Sequence, residues 1–182
     1  MFWGEMAPCD HLVQIYNNDI EFLNGVARFV SDGFKKRESV IIIATAQHLK
    51  SLEGRLSFFD LKRLRADDQY IPLDAEETLA TFMVDDWPDE ELFKKSVTAI
   101  LKRAGKKGRR VRAFGEMVAI LWAQGKNGAT ISLEHLWNNL MKDHTFPLFC
   151  AYPKSGFTDN AVESIKQICS THSKVVPCGC CD

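Results

Sequence analysis

Short apolar runs alternate along this chain with stretches of helical period. The runs are Leu12 to Tyr16, Val40 to Ala44, Tyr70 to Leu73, Val111 to Phe114 and Phe146 to Ala151, and each has the length of a strand. Between them, Ile20, Leu23, Val26, Ala27 and Val30 mark one amphipathic helix, and Phe93, Val97, Ile100, Leu101 and Ala104 mark a second. Leu133, Leu136, Trp137 and Leu140 give a third face of the same kind. Gly33 and the pair Gly105 and Gly108 supply helix stops before the following strands. Asp85 to Glu91 reads as a loop and a helix start, with Pro88 early in the helix and acid in its first turn. Strand and helix patterns in alternation predict an α/β fold, a three-layer sandwich around a largely parallel central sheet. No repeat, low-complexity tract or long linker divides the pattern.

Composition sets the scale. The chain has 182 residues, of which 46% are hydrophobic and 26% charged, enough for one sizeable core and too few for two domains. No apolar run approaches the ~20 residues that span a bilayer, and residues 1–9 lack the basic then apolar order of a secretory signal. The expectation is a soluble, cytoplasmic protein with no membrane partner. A formal charge of -1 gives no general attraction for nucleic acid, so none is expected to bind directly. The basic stretch Lys102 to Arg112 reads as a solvated helix end and loop.

The six cysteines are expected to be thiols in such a protein. Cys150 reads as a small core residue. Cys178, Cys180 and Cys181 crowd the C-terminus, with Cys169 and His172 upstream, but the tail lacks a paired C-x-x-C element, and Cys169 and His172 continue the apolar face of Ala161, Val162, Ile165 and Ile168. No native metal and no cofactor are expected. A thiol or metal sensor built on Cys178, Cys180 and Cys181 is the alternative.

Several chemistries are excluded by missing motifs. The turn after the first strand, Tyr16-Asn17-Asn18-Asp19, contains no glycine, and neither G-x-x-x-x-G-K-S/T nor G-x-G-x-x-G occurs in the chain. Asp19 would repel a phosphate at that helix end. P-loop hydrolysis and dinucleotide redox chemistry are therefore not expected, and no G-x-S-x-G elbow or H-E-x-x-H helix is present. Glu116 is the leading polar site candidate, because it follows the run Val111 to Phe114 and a glycine, at the carboxyl end of a strand where α/β proteins bind ligands. The plainer reading is that it charges the start of the next helix. His48 follows Val40 to Ala44 at another carboxyl strand end. His11 precedes its strand and would lie at the opposite edge, which weakens a His11/His48 dyad.

Taken in order, His11-Leu-Val-Gln-Ile-Tyr16, Ser39 to His48, Leu73-Asp-Ala-Glu76, Val111 to Val118, Leu133-Glu-His-Leu-Trp-Asn138 and Phe149-Cys-Ala-Tyr-Pro153 resemble the MEDS family, the methanogen/methylotroph DcmR sensory domains. The resemblance runs from about residue 11 to 176, leaving residues 1–10 as an N-terminal extension and 177–182 as a Cys-rich tail. It implies a layout similar to RecA-like and KaiC-like domains, here without a P-loop. It also implies a ligand-sensing module, with small hydrocarbon derivatives as proposed ligands, coupled to a histidine kinase or transcription regulator. The family's motif positions fall here on His11, Tyr16, Thr45, His48, Asp74, Glu116 and Tyr152. Tyr16 and Tyr152 could also serve packing, and Asp74 could cap the helix beginning at Ala75. The resulting expectation is a non-catalytic sensory or regulatory domain. It would bind a small organic ligand through Tyr16, Thr45, His48, Asp74, Glu116 and Tyr152 and signal to a partner protein. A degenerate RecA-like nucleotide-binding protein or ATPase is the alternative, and the Trp87 region is a candidate homodimer face.

Overall fold

Ser39–Ala44 is buried at every position, as a parallel strand covered on both sides must be. It is β2 in a computed structural model that describes residues 6–157 and 161–176. The described elements run β1 (His11–Tyr16), α1 (Asp19–Lys35), β2 (Ser39–Ala44), α2 (Ala46–Arg55), α3 (Leu61–Ala66), β3 (Tyr70–Asp74), α4 (Ala75–Ala80), β4 (Met83–Val84) and β5 (Trp87–Pro88). They continue α5 (Glu90–Gly105), β6 (Val111–Gly115), α6 (Met117–Ala123), α7 (Asn127–Asp143), β7 (Leu148–Pro153), α8 (Ala161–Ser170) and β8 (Lys174–Val176). Six strands form one sheet in the order β3-β2-β6-β7-β1-β8, and every pairing in it is parallel. The Cys-rich tail lies outside the described residues. No helix among those described is long and apolar enough to cross a membrane.

Alternation along the strands sorts the core into two layers. Val13, Ile41, Ile43, Ile71, Ala113 and Cys150 face α5, α6, α7 and Ile168 of α8. Leu12, Ile42, Phe114, Phe149 and Ala151 face α1, α2 and α3. The expected three-layer sandwich is therefore present, with a sheet that is parallel throughout. Polar side chains start the helices: Asn18, Thr45, Asp60, Asp74 and Asp89 each accept backbone N–H groups from the first turn of α1, α2, α3, α4 and α5, satisfying donors that have no partner inside the helix.

Some local expectations are corrected. The apolar face of α1 is Phe22, Leu23, Val26, Phe29, Val30 and Phe34, whereas Ile20 is 67% exposed. Asp85 to Pro88 is a tight hairpin between β4 and β5, turning through Asp85 and Asp86 at positive φ, and α5 begins only at Glu90. Val162 stands exposed, off the buried face of α8. Part of the basic stretch is paired: Arg103 with Asp68, Lys107 and Arg109 with Asp67, and Arg112 with Glu38 and Asp32.

Gly33 does not stop α1; it lies within it and lets the helix press onto the sheet. An added Cβ there would stand 2.7 Å from Val40 Cγ2 and 2.9 Å from Arg112 Cδ. Alanine is the better helix former by roughly 1 kcal/mol, but overpacking against a strand costs about 1–3 kcal/mol. Gly33→Ala is thus expected to be destabilising in urea unfolding. A variant as stable as the wild type would show that the interface yields.

Candidate functional site

Helices leave the adjacent strands β2 and β6 on opposite sides of the sheet. α2 packs with the α1 layer, and α6 with the α5–α7 layer. Between such strands the two connections part and leave a crevice at the carboxyl ends, which is the usual ligand position in open α/β sheets. Thr45 and His48 follow β2 and Glu116 follows β6, so all three gather at this crevice. A second divergence lies between β7 and β1, where α8 and α1 depart on opposite sides, and Tyr16 ends β1 there.

Glu116 occupies the N-cap of α6 but makes no cap hydrogen bond to its own helix. Its carboxylate instead bridges to β2's end. Oε2 accepts the Thr45 backbone N–H at 3.0 Å, and Oε1 accepts from His48 Nδ1 at 2.6 Å. The Glu116 backbone N–H donates to Ile43 O at 2.9 Å, which extends the β2–β6 ladder and fixes the carboxylate's position. Thr45 Oγ1 in turn accepts the His48 backbone N–H. Phe22 fills the space beside this pair, stacked on Tyr16 with centroids 4.6 Å apart and edge-on to His48 at 5.0 Å.

Each Glu116 oxygen accepts one of these hydrogen bonds, and a ligand here would also meet His48 Nε2 and the Tyr16 hydroxyl. Neither takes part in a hydrogen bond among the described residues. Burial, with the charges of Glu116 and Asp19, holds the Tyr16 hydroxyl protonated far above its ordinary range. It can therefore donate as well as accept. The hydrogen bond to Glu116 raises the His48 pKa above its usual value against the opposing effect of burial, and the charges of Glu116 and Asp19 add to the rise.

A pH dependence follows. Because the folded value is raised, the stability that the charged His48 contributes is fully present below its unfolded pKa of ~6.5 and is lost as pH rises through the folded value. The stability advantage of wild type over His48→Ala should shrink across that window in urea melts. A His48 titration by NMR at or below the ordinary value would refute the assignment.

Asp74 ends β3 beside the end of β2, where its Oδ1 accepts from Glu76 N and Glu77 N at 2.9 and 3.0 Å and caps α4. Tyr152 points to the opposite face of the sheet from Tyr16, and its hydroxyl donates to Glu134 Oε1 at 2.5 Å. The turn before α1 closes on itself: Asn18 Oδ1 accepts from Glu21 N, and Glu21 Oε2 accepts from Asn17 N. A carboxylate thus sits where a phosphate would have to bind. At the amino ends of the strands, a surface depression of about 500 Å³ is lined by Phe34, Phe59, Arg63 and Arg109, and Arg109 is held there by Asp67.

Tyr152 leads to a second polar cluster that the sequence reading did not assemble. Glu134, fully buried in α7, lies 3.4 Å from both His11 Nε2 and His172 Nε2, with Cys150 Sγ beside His11 at 3.5 Å. Burial alone would drive the Glu134 carboxyl upward, yet the charge of His172 and the contacts of His11 and Tyr152 outweigh it and leave the group below its ordinary pKa. The readable signal was a carboxylate between Leu133 and Trp137, on the apolar face of its helix.

Residues 10–173 match the family described as MEDS, MEthanogen/methylotroph, DcmR Sensory domain. No curated protein matches the chain significantly.

Proposed function

The chain belongs to the MEDS family of sensory domains, and from that premise we propose that it is a non-catalytic sensory module. It takes a small organic ligand at the β2–β6 crevice and signals to a partner protein, of the histidine kinase or transcription regulator kind. The observation that carries this reading is the Glu116 carboxylate, turned away from its own helix and fixed between Thr45 N and His48 Nδ1. The bridge presents His48 Nε2 outward in one orientation and, with Glu116 accepting at Nδ1, as an acceptor when the ring is neutral and a donor when it is charged. Phe22 and Tyr16 supply apolar surface beside it, the usual make-up of a small-molecule site. Signalling requires that the ligand bind two states of the module unequally, and the joint between the ends of β2 and β6 is where occupancy would bias them.

The degenerate-ATPase alternative finds little support, because Glu21 stoppers the α1 N-terminus. The deciding experiment is a thermal-shift and native mass spectrometry screen of small organic compounds and nucleotides on wild type, Glu116→Gln and His48→Ala. An organic compound that stabilises the wild type and neither variant, both still folded, is the expected result. Stabilisation by ATP alone, unaffected by Glu116→Gln, would overturn the reading.

A further inference from the structure

The buried cluster draws its groups from four elements. His11 opens β1, Glu134 lies in α7, Cys150 lies in β7, and His172 sits between α8 and β8. One ligand-capable atom of each lies within 4.8 Å of all the others. The orientation of both rings is determined by their outer nitrogens. His11 Nδ1 meets Asn138 Oδ1 at 2.9 Å, and that amide is itself fixed because its Nδ2 donates to Thr171 O at 2.8 Å. His172 Nδ1 meets Ile168 O at 2.7 Å. These oxygens only accept, so each Nδ1 carries a hydrogen, and each ring turns its Nε2 toward the Glu134 carboxylate and the Cys150 sulfur.

A cation between these nitrogens, the carboxylate and the sulfur would hold all four groups together in a closed interior. The His172 side chain is fully enclosed, and its Nε2 makes no hydrogen bond. His11 Nε2 lies 3.4 Å from Glu134 Oε2 and His172 Nε2 lies 3.4 Å from Oε1, both long for hydrogen bonds, whose usual range ends at ~3.2 Å. They suit a different object. A tetrahedral ion with bonds of ~2.0–2.3 Å holds its ligand atoms roughly 3.3–3.7 Å apart. His11 Nε2 to Cys150 Sγ is 3.5 Å, and Cys150 Sγ to Glu134 Oε2 is 4.0 Å.

We propose that His11, Glu134, Cys150 and His172 form a closed, buried tetrahedral site for a divalent transition metal of the zinc class. Two imidazoles, a thiolate and a carboxylate favour zinc over magnesium or calcium, which seek oxygen ligands. Binding forms the metal–sulfur bond as Cys150 gives its thiol proton to the buffer. Four protein ligands leave no open position for water, so the ion holds structure rather than hydrolysing a substrate. Asn138, the Ile168 carbonyl and the Tyr152 hydroxyl on Glu134 Oε1 are the surrounding contacts that orient such ligands. The ion would pin the α8–β8 junction to β1, β7 and α7, and it is separate from the ligand crevice.

The test uses the full chain with Cys178, Cys180 and Cys181 changed to serine, so that these thiols contribute nothing, stripped by chelator and titrated anaerobically with Co²⁺. One cobalt per chain is expected, with intense visible bands of tetrahedral cobalt and a near-ultraviolet sulfur-to-cobalt charge-transfer band, all displaced by Zn²⁺. Cys150→Ser should lose the charge-transfer band. Asn138→Ala should keep that band while Co²⁺ binding weakens about 10–100-fold, and it serves as the deciding variant if Cys150→Ser does not fold. A folded, stripped protein that binds no stoichiometric Co²⁺, a charge-transfer band that survives Cys150→Ser, or unchanged affinity in Asn138→Ala would each overturn the proposal.

Discussion

Arg112→Ala is expected to cost about 3–5 kcal/mol of folding free energy, the usual loss when one partner of a buried ion pair is removed. The Arg112 side chain runs inside the layer between β6 and α1. Its guanidinium pairs with Glu38 and Asp32, donates to Phe29 O at 2.8 Å and lies over the Phe29 ring at 5.0 Å. Truncation strands Glu38, itself only 6% exposed, with Arg110 at 3.9 Å as its remaining ion partner; most of the Arg110 side chain is in solvent, where screening makes it a weak substitute. The double variant Arg112→Met with Glu38→Gln removes the charge along with its partner and should recover much of the loss. Urea unfolding of the single and double variants checks this, and a single-variant cost below about 1 kcal/mol would contradict the burial argument. Since domains are stable by only about 5–15 kcal/mol, the single variant should be visibly thermolabile.

The second large effect is expected at Trp137. This ring in α7 is 1% exposed, meets Phe93 of α5 edge-on at 5.0 Å, lies near Phe146 and approaches the Cβ position of Gly115 in β6 at 3.9 Å. It therefore joins two helices to the central sheet, and Trp137→Ala opens a cavity that the rigid strand behind it cannot fill. A loss of about 3–5 kcal/mol is the usual outcome for such a truncation. Trp137→Phe keeps the edge-on contact and should cost clearly less. Equal losses in the two variants, measured by urea and thermal melts, would mean that the indole's extra volume rather than its aromatic contact governs the site.

The parts of the fold legible in the sequence were those where one local rule decides. Five strands were readable because parallel strands buried on both faces must be apolar. Elements decided by distant partners were not. α2 buries only Leu52, so it carries no periodic stripe, and β8 is three residues long and exists through its pairing with β1. The β4–β5 hairpin turns through two aspartates at positive φ, where sequence usually advertises asparagine and glycine. The same division holds at the sites. Thr45 and Glu116 were readable because each directly follows a strand, and His48 because it lies in the helix turn just after one. His11, Glu134, Cys150 and His172 share no spacing, and only the sheet order and one helix crossing bring them together. Gly33 and Arg112 were likewise misjudged one at a time, since the missing Cβ of one makes room for the buried chain of the other.

The position of β8 also bears on how the protein is made. β1 is synthesised first among the described strands, yet its two neighbours in the sheet are β7 and β8, the last of these to leave the ribosome. Until Leu148–Pro153 has emerged, β1 has neither lateral partner, and until Lys174–Val176 follows it lacks the second, together with Ser173, which brackets His11 by donating to its carbonyl and accepting from its amide. The chain must therefore keep its earliest apolar strand unpaired through most of translation, which makes folding late, strongly dependent on long-range closure and slow by topology. Pulse-labelled hydrogen exchange during refolding should find the β1 amides protected together with those of β7, after those of β2 and β3.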